Sequence, residues 1–266
     1  MANTVFNNKI IEAKAKDLLA TAVNTRSLMT IDDTLAQEVG MTKTINVYTY
    51  SGTAEEVAAG KGNTVRGSIA YVGTDYTVKM VQQAFDYQDE DFMKDNTIVD
   101  NMLKGANQTM VNKMTADFLT EAKKATVKQE FAKGATISYD VIVDAISKLN
   151  FEDESKLFIV IPNSWKAALR KDDDYKAARM GEVVYNGQVG TICGIPVIAS
   201  KALETDKTAY VMTNEAIKLF MKKDVEVEQD RNADTRTNSI YLRAAYICAL
   251  VDATQICKIV EAAASA

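Results

Sequence analysis

Histidine is absent from this 266-residue chain. It is the side chain whose unperturbed pKa lies nearest neutrality. Its absence excludes Ser-His-Asp and Cys-His triads, histidine-based metal sites and the commonest general base. Cysteine is scarce: Cys193, Cys248 and Cys257 are an odd set without a CxxC pair, which supplies neither a disulfide framework nor a zinc-ligand set. Cys248 and Cys257 lie in apolar runs and read as buried free thiols. No run reaches the roughly 18 apolar residues of a membrane-spanning helix, so no membrane partner is expected. Lys9, Glu12, Lys14, Lys16 and Asp17 interrupt the segment where a secretion signal carries its apolar core. The cytoplasm is the expected place of folding.

What is present suits a folded chain: 47% hydrophobic and 25% charged residues, an ordinary globular balance. The length suffices for one large domain or two small ones. A formal net charge of -5 runs against indiscriminate nucleic-acid binding, which relies on excess Lys and Arg. No repeat or low-complexity linker divides the chain, and only residues 262–266, rich in alanine, read as a frayed end.

Hydrophobic periodicity orders the elements. Ile10, Ile11, Ala15, Leu18, Leu19 and Ala22 form one helical stripe within residues 3–24. This arm has few apolar groups of its own and is expected to pack on another segment or subunit. Residues 44–50, 68–72 and 76–80 read as strands. Gly60, Gly62 and Gly67 punctuate the polar stretch among them. The pattern predicts a long two-stranded excursion with a flexible tip, and such a hairpin is marginal alone. A neighbouring copy is its expected support.

Residues 97–124 predict the dominant helix. Ile98, Val99, Met102, Leu103, Ala106, Met110, Val111, Met114, Phe118, Leu119 and Ala122 hold a stripe uninterrupted by proline. At a rise of ~1.5 Å per residue it spans about 40 Å. Thr97 and Asp100 resemble a capping box, and the three methionines read as core filler. Beyond it, Ser138 is expected to cap a helix with Val141, Ile142, Ala145, Ile146 and Leu149 on its face. Residues 157–161 read as a buried strand ended by Pro162 and Asn163, with a helix over 164–169. A turn-rich ribbon over 187–194 follows, then strands over 196–199 and 210–212 and a helix over 214–220. The alternation of residues 224–229 predicts a half-exposed strand. A polar turn over 230–239 and closing strands over 240–250 and 254–259 complete the chain.

Few residues point to chemistry. Gly60-Lys61-Gly62 lacks the order of a phosphate-binding loop and reads as a loop tip. Asp172, Asp173 and Asp174 lack calcium-loop spacing and read as a solvated loop. Asp86, Asp89, Glu90, Asp91 and Asp95 form an acidic patch before the long helix, whose positive end negative charge favours. No spacing selects a catalytic carboxylate pair. Arg231, Arg236 and Arg243 are expected to pair with carboxylates of a neighbouring subunit. No catalytic, cofactor-binding or metal-ligating residue is assigned, and no cofactor is expected.

The order of these parts resembles the major capsid proteins of tailed bacteriophages, whose shell-forming fold was first described in phage HK97. The resemblance rests on Leu157-Phe158-Ile159-Val160-Ile161-Pro162-Asn163-Ser164-Trp165 followed by Gly190-Thr191-Ile192-Cys193-Gly194-Ile195-Pro196-Val197-Ile198. Ala209-Tyr210-Val211-Met212 and Lys223-Asp224-Val225-Glu226-Val227-Glu228 add to it. It covers essentially the whole chain, and the order of the motifs carries more than any one of them. It implies an α+β, HK97-like fold: an N-terminal arm (1–40), an extended β-hairpin loop (41–82), a peripheral domain with a spine helix (83–134), an axial domain (135–222) and peripheral return strands (223–266).

The resemblance also implies a function of geometry: self-assembly through hexamers and pentamers into an icosahedral shell around double-stranded DNA, without sequence-specific contacts. A net acidic wall suits a cargo that is not tightly adsorbed. The expected partners are further copies of the chain, a separate scaffolding protein, a portal protein and a decoration protein. The expected location is the virion, after assembly in the host bacterial cytoplasm. Some relatives carry a long N-terminal scaffolding region that is cut away. Here the arm follows Met1 almost directly, so scaffolding is expected as a separate protein unless the sequence is the mature form. One relative joins subunits by Lys–Asn isopeptide bonds, and neither Lys61 nor Asn232 is matched to that chemistry. An encapsulin-like shell around cargo proteins and a histidine-free soluble enzyme remain as alternatives.

Overall fold

Two β-sheets pack against one long helix, and a two-stranded ribbon projects from the junction. The computed structural model describes residues 11–15, 28–95, 97–173 and 190–262. The four-stranded sheet has the order β1 (Thr30–Asp32), β10 (Ile217–Asn232), β11 (Thr237–Leu250), β4 (Lys79–Gln88). The six-stranded sheet has the order β5 (Val127–Phe131), β12 (Ile256–Glu261), β9 (Ala209–Thr213), β6 (Leu157–Pro162), β8 (Ile195–Ser200), β7 (Thr191–Ile192). The ribbon pairs β2 (Thr42–Ser51) with β3 (Ser68–Thr77). Helices are α1 (Asp89–Lys94), α2 (Ile98–Ala122), α3 (Tyr139–Leu149) and α4 (Asn163–Lys171).

Strand periodicity explains the layering. Side chains alternate across a sheet with period 2. In β6, Phe158 and Val160 face the cluster built on α2, whereas Leu157, Ile159 and Ile161 face the cluster under α3 and α4. In β9, Tyr210 and Met212 take the first side and Ala209 and Val211 the second. The six-stranded sheet is therefore covered on both faces, which is why β6 is apolar throughout. The same division operates in β11. Ile240, Leu242, Ala244 and Tyr246 face α2, while Ala245, Ile247 and Ala249 meet Leu35, Ile45 and Val78 at the ribbon root. One helix thus closes both sheets, and Leu103, Met110, Met114 and Phe118 are its buried centre.

The predicted long helix forms over Ile98–Ala122 with the expected stripe, although Asn107, Asp117 and Glu121 are also buried on it. Its expected capping box does not form. Thr97 donates its N–H and hydroxyl to Asp95 at 2.8 and 2.7 Å, and Asp100 pairs with Lys14 at 2.9 Å. Ser138 occupies the N-cap of α3 without a side-chain bond. Asp172 instead accepts from the Tyr139 N–H at 2.8 Å, so part of the acidic run serves as a cap.

Two strand assignments and one helix assignment change. The strand expected over 76–80 is broken at Val78, where the ribbon ends and β4 begins. The helix expected over 214–220 is a turn followed by β10. Leu219 and Met221 face one cluster and Phe220 another, and pairing with β11 overrides a short helical pattern. The strand expected over 254–259 forms as β12, but it pairs with β5 and β9 in the six-stranded sheet instead of continuing the sheet of β11. Within the turn-rich ribbon, Cys193 and Gly194 have φ of 50 and 81 and close the β7–β8 hairpin. That is the backbone a two-residue primed turn requires. Gly187, Asp174, most of the N-terminal arm and residues 263–266 lie outside the described residues.

Candidate assembly interface

The ribbon presents apolar groups on both faces. Its antiparallel register places Tyr50 opposite Ile69 and Val47 opposite Val72. Partners share a face and the faces alternate, so Tyr50, Ile69 and Tyr71 line one side and Val47 and Val72 the other. Tyr50, Ile69 and Tyr71 are 68%, 66% and 69% exposed. Near the tip the Tyr50 ring lies so close to Gly67 that a Cβ there would collide with its hydroxyl, hence glycine at that position. The tip is internally bonded rather than featureless. Glu55 accepts from the Thr64 N–H and, at 2.7 Å, from the Thr64 hydroxyl, and these bonds lower its pKa. The Lys61 N–H donates to the Ala58 carbonyl at 3.0 Å.

The ribbon root meets a charged cluster on α2. The Tyr76 hydroxyl donates to Glu121 at 3.1 Å, and the Lys79 ammonium donates to Asp117 at 3.3 Å. Lys113 and Tyr246 also donate to Asp117, at 2.8 and 2.9 Å. Lys124 binds Glu121 at 2.7 Å and lies 5.1 Å from the centre of the Tyr76 ring. Burial pushes the Asp117 pKa up, but the Lys113 and Tyr246 hydrogen bonds and the Lys79 charge outweigh it, and the carboxyl is held below its ordinary value. Burial and the Glu121 charge push Tyr76 up to about 12. Burial is also the main reason the Cys248 thiol is raised, as it is for Cys257.

The arginines expected to reach a neighbour are paired within the subunit. Arg231 binds Asp89 at 2.8 Å, Arg236 binds Glu90 at 2.7 Å and Arg243 binds Glu228 at 2.6 Å. The first two contacts tie the β10–β11 turn to the start of α1, which accounts for part of the acidic patch, and the third joins β11 to β10. Asn232 accepts from the Asp234 N–H at 3.0 Å within that turn. A groove of about 370 Å³ runs between β4 and α2, and its lining, which includes Met80, Val81, Thr109, Met110 and Lys113, holds no carboxylate. Among the described residues no group of three potential ligands gathers in metal-binding geometry, and no helix is long and apolar enough to cross a membrane. Asp117 and Glu121 escaped sequence reasoning because they occupy places on an apolar stripe. The signal was there: two carboxylates one turn apart on the stripe itself.

No protein-family profile matches the chain. A major capsid protein of Staphylococcus phage phiMR11 is 25% identical over 252 residues, covering 90% of this chain and 87% of that protein. Among solved structures, the capsid of cyanophage P-SCSP1u superposes with a TM-score of 0.69 at 11% identity, covering 98% of this chain and 91% of that one. Gordonia phage Cozz gives 0.68 at 11%, covering 90% and 86%. A virus-like particle from Pyrococcus furiosus gives 0.65 at 10%, covering 95% and 98%. With an exposed ribbon, a helix shared by two sheets and these relatives in both sequence and shape, the chain has the HK97-like fold of phage major capsid proteins and is homologous to one of them.

Proposed function

We propose that this chain is the major capsid subunit of a phage, assembling through hexamers and pentamers into an icosahedral shell around double-stranded DNA. The observation that carries the proposal is the ribbon. It holds ten residues on each strand and leaves apolar side chains uncovered on both faces, in a chain with a shell-forming fold. Covering such groups contributes roughly 25 cal/mol per Å². One such contact is weak, but in a closed shell each subunit makes several at once and their effects multiply. The role is structural, enclosure instead of catalysis.

Residues 1–40 serve as the arm, 41–82 as the extended loop and 83–134 with the spine helix as the peripheral domain. Residues 135–222 serve as the axial domain. The return strands of 223–266 divide, β10 and β11 to the peripheral sheet and β12 to the axial one. Scaffolding, portal and decoration proteins are the further partners, and the DNA is held without sequence-specific contacts. The virus-like particle of matching length favours a second reading, an encapsulin-like shell that encloses cargo proteins. The phage relative in sequence weighs for the first.

The test is light scattering of the purified full-length chain followed by electron microscopy. Closed shells, or hexamers and pentamers, support the proposal. A persistent compact monomer, even with a scaffolding protein supplied, contradicts it. Nuclease-protected DNA within particles from infected cells separates the two shell readings.

A further inference from the structure

The ribbon joins the body at its root, where β2 begins at Thr42 and β3 ends at Thr77. β3 ends at Thr77 and pairs only with β2, whereas β4 begins at Lys79 and joins β11 in the four-stranded sheet. Val78 between them is buried among Ile45, Leu35 and Phe220 and donates its N–H to the Met41 carbonyl at 2.7 Å. That apolar root, with Lys43 of β2 4.7 Å from the centre of the Phe220 ring, holds the base of the ribbon against the sheet. Tyr76 and Lys79, on either side of Val78, both reach α2 as well. Tyr76 on the ribbon side bonds Glu121, and Lys79 on the sheet side bonds Asp117.

Local physics disfavours this arrangement on the helix side. Asp117 and Glu121 are four residues apart, a spacing at which like charges repel across one turn. Both are also buried, and a buried charge needs compensation. Lys113 of α2, Tyr246 of β11 and Lys124 just beyond α2 supply part of it. Apolar residues at both positions would pack the core without any of these groups. A local conflict of this kind marks a site with a task beyond folding.

We propose that Tyr76, Lys79, Asp117 and Glu121 form a two-point latch that fixes the direction in which the ribbon leaves the subunit, so that it is aimed before a second copy arrives. Two attachments on opposite sides of the junction oppose rotation where one would permit it. The sheet side is firm because β4 pairs with β11 from Lys79 to Gln88. The ribbon side depends on Tyr76, on the Val78 N–H and on Lys43, opposite Tyr76 on β2, which bonds Thr34 and Glu38 at 3.3 and 3.5 Å. A ribbon already aimed loses less conformational freedom on association. That consequence rests on the proposed shell function, whereas the latch itself does not.

Electron–electron double resonance on unassembled full-length subunits tests it. Nitroxides are attached at Lys61→Cys on the ribbon tip and Gln108→Cys on α2, with the exposed Cys193 replaced by serine. The intact latch is expected to give one narrow distance. Tyr76→Phe, which keeps the ring but loses the hydroxyl, and Glu121→Gln are each expected to lose that narrow distance, with the circular dichroism spectrum unchanged. An unchanged narrow distance in folded Tyr76→Phe overturns the latch, whatever Glu121→Gln does. Broadened distances in a chain that never assembles keep the latch and remove the shell reading, and normal assembly with unaffected distances does the reverse.

Discussion

Tyr246 of β11 donates its hydroxyl to Asp117 of α2 across 2.9 Å, and both side chains are buried between the four-stranded sheet and the helix. The bond joins the helix to the sheet at the level where the ribbon is attached. Burial, and then the carboxylate beside it, raise the Tyr246 pKa, while the same bond helps lower that of Asp117.

Removing that hydroxyl isolates the effect. Tyr246→Phe leaves a buried carboxylate short of one donor, a loss of about 1–3 kcal/mol. Urea unfolding of the unassembled subunit is the measurement, and a change under about 0.5 kcal/mol, the size of a neutral surface substitution, places the bond outside the stabilising set.

Asp117 also predicts an acid limb. Its folded pKa is depressed from the ordinary 3.8. Its contribution is therefore present above that value and is lost as pH falls through the lower folded pKa. Tyr76 gives the opposite sign. Its pKa rises from the ordinary 10.0 to about 12, so its contribution is present below 10.0 and is lost as pH rises toward the folded value. Stability measured against pH should lose its low-pH dependence partly in Asp117→Asn and its high-pH dependence partly in Tyr76→Phe. Identical profiles for variant and parent contradict the assignment.

Phe118 is fully buried near the C-terminal end of α2. Phe118→Ala should destabilise the subunit by roughly 3–5 kcal/mol, the cost of a large core truncation. A loss under ~1 kcal/mol in chemical denaturation shows that the helix face is not the one packed.

Lys61 at the ribbon tip makes no core contact. Lys61→Ala should leave subunit stability within about 0.5 kcal/mol of the parent. Loss of soluble, folded subunit on that change contradicts the placement of the tip outside the core.

The fold was legible wherever periodicity is unambiguous. The apolar stripe of α2 and the buried run of β6 needed only their own patterns, and the ribbon was readable from its β-branched strands and glycine-rich middle. The helix expected over 214–220 failed because Ile217, Leu219 and Met221 alternate as well as they spiral, and pairing with β11 decides between the two. The placement of β12 was invisible because register between distant strands leaves no local mark. The ribbon was legible as a segment lacking its own core, but its anchorage was not. Asp117 and Glu121 read as interruptions in a stripe until Tyr76 and Lys79, about 40 positions away, are brought beside them. Arg231 and Arg236 were opaque for the complementary reason, since Asp89 and Glu90 sit far off in sequence and close in space.

In the proposed shell a second copy of the chain covers the apolar faces of the ribbon. An electron cryomicroscopy reconstruction of the assembled particle tests it most directly. The account predicts that Tyr50, Ile69 and Tyr71, exposed in the isolated subunit, lie buried against a neighbouring subunit in the shell. A shell in which those three side chains still face solvent would contradict it.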